Sequence, residues 1–385
     1  MSFILIFLYS NNFYVLIFYF CLYNLINLNY LCIYMYFITF LIMKIIFFRV
    51  KEKINLIFFS IKFIFIKLIF IFILIFFISN KIIYIYVYFE LISLLIYLLI
   101  YFSSFSSIRL KARIYLFIFI SIGTFPILSI IFFINEKIFL LIFSLRFLIK
   151  IPILFFHLWL PKAHVEANYY DSIILARLLL KLGGYGILLV DLNIKFNFIF
   201  LWRILGIILI SFLVLFLLDA KIIIAFSSII HINIIVMIIF SNGLLIEKRF
   251  SILIISHAIS SSIIFFMIGV IYEQSFRRRI LINKNFILNF LPFFGTIFFV
   301  LLGNIGTPPF ITFFSELYVY IYILNYSINY ILFLILSIFF RCLFNLIILK
   351  NISIIIINKF FKIYNMKINC IFLSIEHLYY LLYFF

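Results

Sequence analysis

Four ionisable side chains interrupt apolar stretches of this 385-residue sequence. Glu90 lies in Tyr88-Phe89-Glu90-Leu91, and Lys150 stands two residues before Pro152. Lys181 lies in Leu180-Lys181-Leu182-Gly183-Gly184, and Glu316 in Phe314-Ser315-Glu316-Leu317. His231 and His257 have comparable surroundings. Burial disfavours the charged form of acids and amines alike, so groups of this kind sit between protonation states. An acid beside an amine restores the amine's charge, and moving it away favours release. Acid, base, base and acid in a row therefore make a proton relay. A charge inside a lipid-spanning helix costs at least about 2.5 kcal/mol on insertion scales and marks a functional site by default. The competing readings are structural pairing and, for the histidines, plain helix packing. Lys62 and Lys67 read as snorkelling side chains.

The elements that must position these groups are membrane helices. Hydrophobic residues make up 69% of the chain and charged ones 11%. Soluble domains carry about 45–50% apolar and about 25% charged residues, so lipid must be the solvent here. The net charge of +19 would suggest nucleic acid in a soluble protein. In a membrane protein, Lys and Arg collect in the loops of one side, and no nucleic-acid partner is expected. Phe (59) is abundant while Gly (10), Pro (6) and Trp (2) are scarce. The enriched types can be written with A/T-rich codons, which points to a biased genome such as a mitochondrial one. Cys21, Cys32, Cys342 and Cys370 have no metal-ligand spacing. The apolar start lacks a basic leader and a small-residue cleavage site, and reads as a first span.

A span needs about 20 apolar residues. Such stretches fall near 1–23, 30–48, 56–78, 82–102, 113–134, 138–156, 169–190, 196–218, 221–241, 250–272, 286–324, 327–349 and 366–385, about 13 in all. The stretch 286–324 is overlong and is broken at Thr307-Pro308-Pro309, so it reads as one discontinuous helix. Alternate loops hold most of the basic residues, including Arg109, Lys111 and Arg113, and Arg277, Arg278 and Arg279. The positive-inside rule puts these loops and the N-terminus on the matrix or cytoplasmic side, and the C-terminus opposite. Each half has one proline-broken span, at Pro152 and at Pro308-Pro309, as inverted-repeat transporters do. The expected organisation is N-terminal spans 1–55, a first half 56–190, a second half 196–349, and a C-terminal loop and span 350–385. Asp219 and Lys221 begin a span, where a local salt bridge or proton-entry rim is expected. His157, His164 and Glu166 mimic a metal site, but a helix–loop rim accounts for them better.

The run from Phe147 through Lys150, Pro152, His157, Trp159, Pro161, Lys162, His164 and Glu166 to Ala167 resembles the signature of the subunit 4 family of mitochondrial NADH:ubiquinone oxidoreductase, respiratory complex I. Further matches follow in family order over residues 82–349: Phe89-Glu90-Leu91, Lys181 to Gly186, Asp219-Ala220-Lys221, Ser227-Ser228 with His231, Ser256-His257, Tyr272-Glu273, and Pro308-Pro309 with Glu316. Glu316, where paralogous subunits 2 and 5 carry Lys, separates the family from them. The resemblance implies an all-α integral membrane protein with the antiporter-like fold, two inverted repeats with discontinuous helices, and a missing first family helix. It implies a proton-translocating subunit of the mitochondrial inner membrane. Glu90 would modulate Lys150, Lys181 would connect the two halves, and Glu316 would be the terminal protonatable group. His231 and His257 resemble positions near the connection between halves. No cofactor is expected in this chain; NADH, FMN, iron–sulfur clusters and ubiquinone would belong to other subunits. The implied partners are antiporter-like subunits 2 and 5, accessory subunits, and phospholipids such as cardiolipin. An Mrp-like cation/proton antiporter shares the same motifs and is the alternative.

Several charges depart from the family pattern. Asn168 replaces a proline, and Asp171 and Arg177 stand where small residues are usual. Arg146 and Arg341 are further unexpected charges in spans, read as structural. Arg146 is four residues before Lys150, and Arg177 four before Lys181, a spacing that puts like charges on one face of an α-helix.

Overall fold

The computed structural model describes residues 56–79, 81–101, 110, 114–119, 121–122, 147–154, 156–189, 197–239, 246–275, 291–308, 310–326 and 331–353. They are helical apart from the turns that join or break helices. Many of these segments are rich in Ile and Phe, which favour strands in water. In lipid each backbone N–H must find its partner within the segment, so the same residues form helices.

The chain divides into two compact units, Met1–Phe117 and Ile118–Phe385. In the first, α1 (Leu56–Ile78) and α2 (Ile82–Tyr101) are joined by a three-residue link and pack as a hairpin. Phe76 meets Phe89 at a ring separation of 6.1 Å, and Phe72 meets Tyr88 at 6.2 Å. Neither helix contains Gly or Pro, so nothing interrupts the backbone ladder. Glu90 lies midway along α2. Lys67 of α1 is buried rather than snorkelling; the side chain of Lys62 lies outside the described residues.

The second unit contains α3 (Trp159–Glu166), then a rod made of α4 (Tyr169–Ile174), a π-helical turn (Leu175–Leu179) and α5 (Leu180–Leu189). After it come α6 (Asn197–Val214), α7 (Ala220–Ile239), α8 (Ile246–Ser275), α9 (Leu291–Ile305), α10 (Ile311–Tyr326) and α11 (Ile331–Ser353). Helices α7 and α8 form the centre. α7 packs on α3, α5, α6 and α8; α8 packs on the rod, α9 and α10. α11 lies against α6, α9 and α10. The periphery is apolar outward. Leu205, Leu209 and Phe212 share one exposed face of α6, and Leu332, Ile335, Phe339 and Leu346 share one of α11. Such faces fit hydrocarbon rather than water.

Among the described residues, five helices are long and apolar enough to cross a membrane: Ile83–Tyr101, Asp171–Leu189, Ala220–Met237, Arg249–Gly269 and Leu332–Lys350. Ile64–Ile78, Trp202–Val214 and Ile311–Ile321 are shorter apolar helices. The expected stretch 286–324 is interrupted as predicted, between Ile305 and Ile311. The stretch 250–272 is longer than expected, because α8 continues to Ser275. The expected spans 1–23, 30–48 and 366–385 lie outside the described residues, as do Arg146 and Pro309.

Candidate functional site

The first helix break carries Lys150. Residues 147–150 are helical, and the N–H of Ile151 still reaches the carbonyl of Phe147 at 2.8 Å. Pro152 has no N–H to continue the ladder, and the described residues between it and α3 are turns or irregular backbone. Lys150 is buried at 4% exposure. The glycines of α5 receive this segment. A Cβ at Gly186 would stand 2.1 Å from the Phe147 ring, and one at Gly183 would stand 2.9 Å from Ile151. Gly183 and Gly186 thus form a backbone surface on which the Lys150 segment rests, while Gly184 faces Phe250 of α8.

One turn along the rod, Lys181 is buried at 2% exposure. Its Nζ lies 2.5 Å from the carbonyl oxygen of Ala176 and 2.8 Å from His257 Nδ1 on α8. Ala176 belongs to the π turn, whose wider spiral loosens the ordinary bonding and is often found at functional sites. Arg177 lies within this turn, so its spacing to Lys181 is not that of a regular α-helical face. The guanidinium of Arg177 turns to α8, where Nε donates to the Ala258 carbonyl at 3.0 Å. Lys181 reaches the preceding residue of the same helix, His257.

His257 stacks obliquely on His231 of α7, with ring centroids 5.3 Å apart. His231 Nδ1 lies 3.1 Å from Glu316 Oε1 on α10. Lys181, His257, His231 and Glu316 thus form one buried row across the rod, α8, α7 and α10. At its end Arg341 of α11 grips both oxygens of Glu316, at 2.6 Å from Nη1 and 2.8 Å from Nη2. Tyr320 donates to Glu316 Oε2 at 3.1 Å and accepts from Arg341 Nη2 at 2.6 Å.

The second helix break shapes this end. Thr307 N–H bonds the carbonyl of Leu302, Gly306 N–H bonds that of Gly303, and Gly306 has φ 82°. This is a Schellman stop, which needs a residue free to adopt left-handed backbone. Thr312 Oγ1 donates to the Gly303 carbonyl at 2.6 Å and ties α10 to the end of α9. A Cβ on Gly306 would come within 3.2 Å of Glu316 Oε2. Gly306→Ala is expected to cost about 1–2 kcal/mol from the backbone alone. A lowered thermal midpoint of the purified assembly would register it, and an unchanged midpoint would refute it.

The family described as NADH:quinone oxidoreductase/Mrp antiporter, transmembrane, matches residues 134–341, more than half of the sequence. The chain belongs to that family. It is 41% identical over 184 residues to NADH-ubiquinone oxidoreductase chain 4 of Apis mellifera ligustica, covering 46% of this chain and 41% of that one. Chain 4 of Aedes aegypti is 35% identical over 239 residues, covering 54% and 52%. Chain 4 of Dictyostelium citrinum is 41% identical over 197 residues, covering 48% and 47%. The chain matches about half the length of these relatives. A chain in the structure of respiratory complex I from Thermus thermophilus with bound aureothin superposes with a TM-score of 0.75 at 12% identity, covering 91% of this chain and 82% of that chain. This likeness concerns the fold, and it agrees with the expected all-helical, antiporter-like membrane architecture.

Within this NADH:quinone oxidoreductase/Mrp antiporter fold, Lys181, His257, His231 and Glu316 come together, while Glu90 belongs to the other compact unit. Lys221 is buried, donates to the Ala167 carbonyl at the end of α3 at 3.0 Å, and lies 5.7 Å from the Tyr272 ring centroid. His164, expected on a rim, is fully buried and stacks on Phe265 with centroids 4.6 Å apart. Among the described residues no cluster of His, Cys, Asp and Glu is placed to hold a metal ion. The sequence reading missed Tyr320 and the pairing of Arg341. Tyr320 was within reach, since it is four residues from Glu316 and therefore on its face.

Proposed function

We propose that this chain is a proton-translocating membrane subunit of respiratory complex I in the mitochondrial inner membrane, with its N-terminus on the matrix side and its C-terminus on the intermembrane-space side. In this reading it couples electron transfer from NADH to ubiquinone, carried out by other subunits, to proton movement. Its two antiporter-like halves are residues 56–190 and 196–349. Its neighbours are antiporter-like subunits 2 and 5, accessory subunits and phospholipids such as cardiolipin. Redox cofactors are held by the partner subunits.

The observation that supports the reading is the buried row from Lys181 through His257 and His231 to Glu316. A neutral imidazole has one donor and one acceptor nitrogen, so each histidine can take a proton on one side and give one from the other. Lys181 can hand a proton to His257 Nδ1 along their direct contact. A ring rotation or a bridging water carries it between the two rings. Glu90 and Lys150 serve the entry side, with Glu90 as the acid that modulates the first lysine.

Proton uptake per NADH oxidised, measured in sealed vesicles carrying the native assembly, tests this. Lys150→Ala or Glu90→Ala should lower coupled turnover about tenfold or more, as a barrier raised by about 1.4 kcal/mol or more requires. The amount of assembled complex should stay near normal. Unchanged pumping with either substitution would sink the assignment.

A further inference from the structure

The carboxylate of Glu316 holds a full set of donors. Oε1 faces Arg341 Nη1 and His231 Nδ1; Oε2 faces Arg341 Nη2 and the Tyr320 hydroxyl. A carboxylate offers about four lone-pair sites, and these contacts fill them. A proton can bind either oxygen only after one donor leaves. The two-pronged contact with Arg341 is the strongest type in the set, since a planar guanidinium matches both oxygens at once. Its carrier is fixed as well. Asn345 donates to the Arg341 carbonyl at 3.0 Å, and Asn304 of α9 donates to Asn345 Oδ1 at 3.2 Å.

The titratable and charged groups around Glu316 come from every neighbouring helix that has them. Tyr320 shares α10, His231 comes from α7, His257 lies behind it on α8, and Arg341 comes from α11, with Cys342 next to it in sequence. Helix α9 contains no titratable side chain.

We propose that Arg341 is a positioning residue that latches the far end of the row. While its guanidinium holds both oxygens, Glu316 acts as a fixed counter-ion to His231, and a proton that leaves Lys181 stops on the His257–His231 pair. Withdrawal of Arg341 opens Glu316 to that proton, so arginine movement gates exit. The inference rests on the relay reading and adds a gate to it.

Infrared difference spectroscopy of the native assembly reads the latch directly, because a protonated carboxylic acid has its own carbonyl stretch. Resting wild-type protein, without NADH, should lack a band from Glu316 across the pH range of pumping. Arg341→Leu should gain one such band, and Arg341→Leu with Glu316→Gln should lose it again. Arg341→Gln keeps a hydrogen-bond donor without the charge and should also show the band; it serves if the leucine variant does not assemble. A Glu316 band already present in the resting wild type overturns the latch, as does its absence from a folded Arg341→Leu or Arg341→Gln assembly. Pumping by Lys181→Met separates the two ideas. If the bands behave as expected but Lys181→Met pumps normally, the relay falls and the latch stands. If Lys181→Met stops pumping but resting wild type shows the band, the latch falls and the relay stands.

Discussion

Lys181→Met stops proton transfer along the row and leaves the chain folded. Lys181 is fully enclosed, and its Nζ meets the Ala176 carbonyl and His257 Nδ1. Methionine matches the length of the alkyl stem and adapts to irregular space. The change leaves the Ala176 carbonyl short of a donor, at about 1–3 kcal/mol. Against this stands the loss of one of two buried cations on the same rod, Arg177 and Lys181 being four residues apart. The net effect on stability is therefore small. The effect on proton movement is not, because His257 loses its donor. Removing a positioned proton-transfer group slows that step about 10²-fold or more. Lys181→Arg sharpens the test. It keeps the positive charge but cannot release a proton, so it should pump no better than Lys181→Met. Proton-to-NADH ratios in sealed vesicles give the result. An arginine variant that pumps normally would show that Lys181 supplies only charge.

Glu316→Gln damages the protein more than Arg341→Leu, although both break the same ion pair. The reason is an asymmetry between the partners. A carboxylate stranded by loss of Arg341 can take up a proton and become neutral. A guanidinium stranded by loss of Glu316 cannot discharge, and Arg341 is almost wholly buried. Breaking a buried pair from that side costs about 3–5 kcal/mol. The double variant Glu316→Gln with Arg341→Leu removes the stranded charge and should recover most of that loss. The order expected for the thermal midpoint of the assembly is double variant and Arg341→Leu above Glu316→Gln. Equal midpoints for the two single variants would show that solvent reaches the site. Proton pumping should not return in the double variant, because the row still lacks its terminal acid.

Lone charges in apolar runs made Lys150, Lys181 and Glu316 visible in the sequence, and the lengths of those runs placed α1, α2, α6 and α7 within a few residues. The Pro152 and Pro308-Pro309 breaks were visible for the same local reason, since proline cannot continue a backbone ladder. The Arg341–Glu316 pair was not. Its members are 25 residues apart on separate helices, and spacing along a chain reports neighbours on one helix only. The four-residue spacing of Arg177 and Lys181 was visible, but the π turn of residues 175–179 that carries Arg177 was not, since nothing in that spacing reports a widened turn. The use of Gly186 as a seat for Phe147 depends on how two segments approach, which no single-helix pattern encodes.

The π turn at Leu175–Leu179 has a consequence for length. A helix containing such a turn is one residue overlong for its span, and the wide turn takes up the spare residue. The same residues wound as an unbroken α-helix would swing Lys181 about 100° around the axis, away from His257. In this chain the proton row is therefore keyed to a reading register inside the membrane as well as to the identity of its residues.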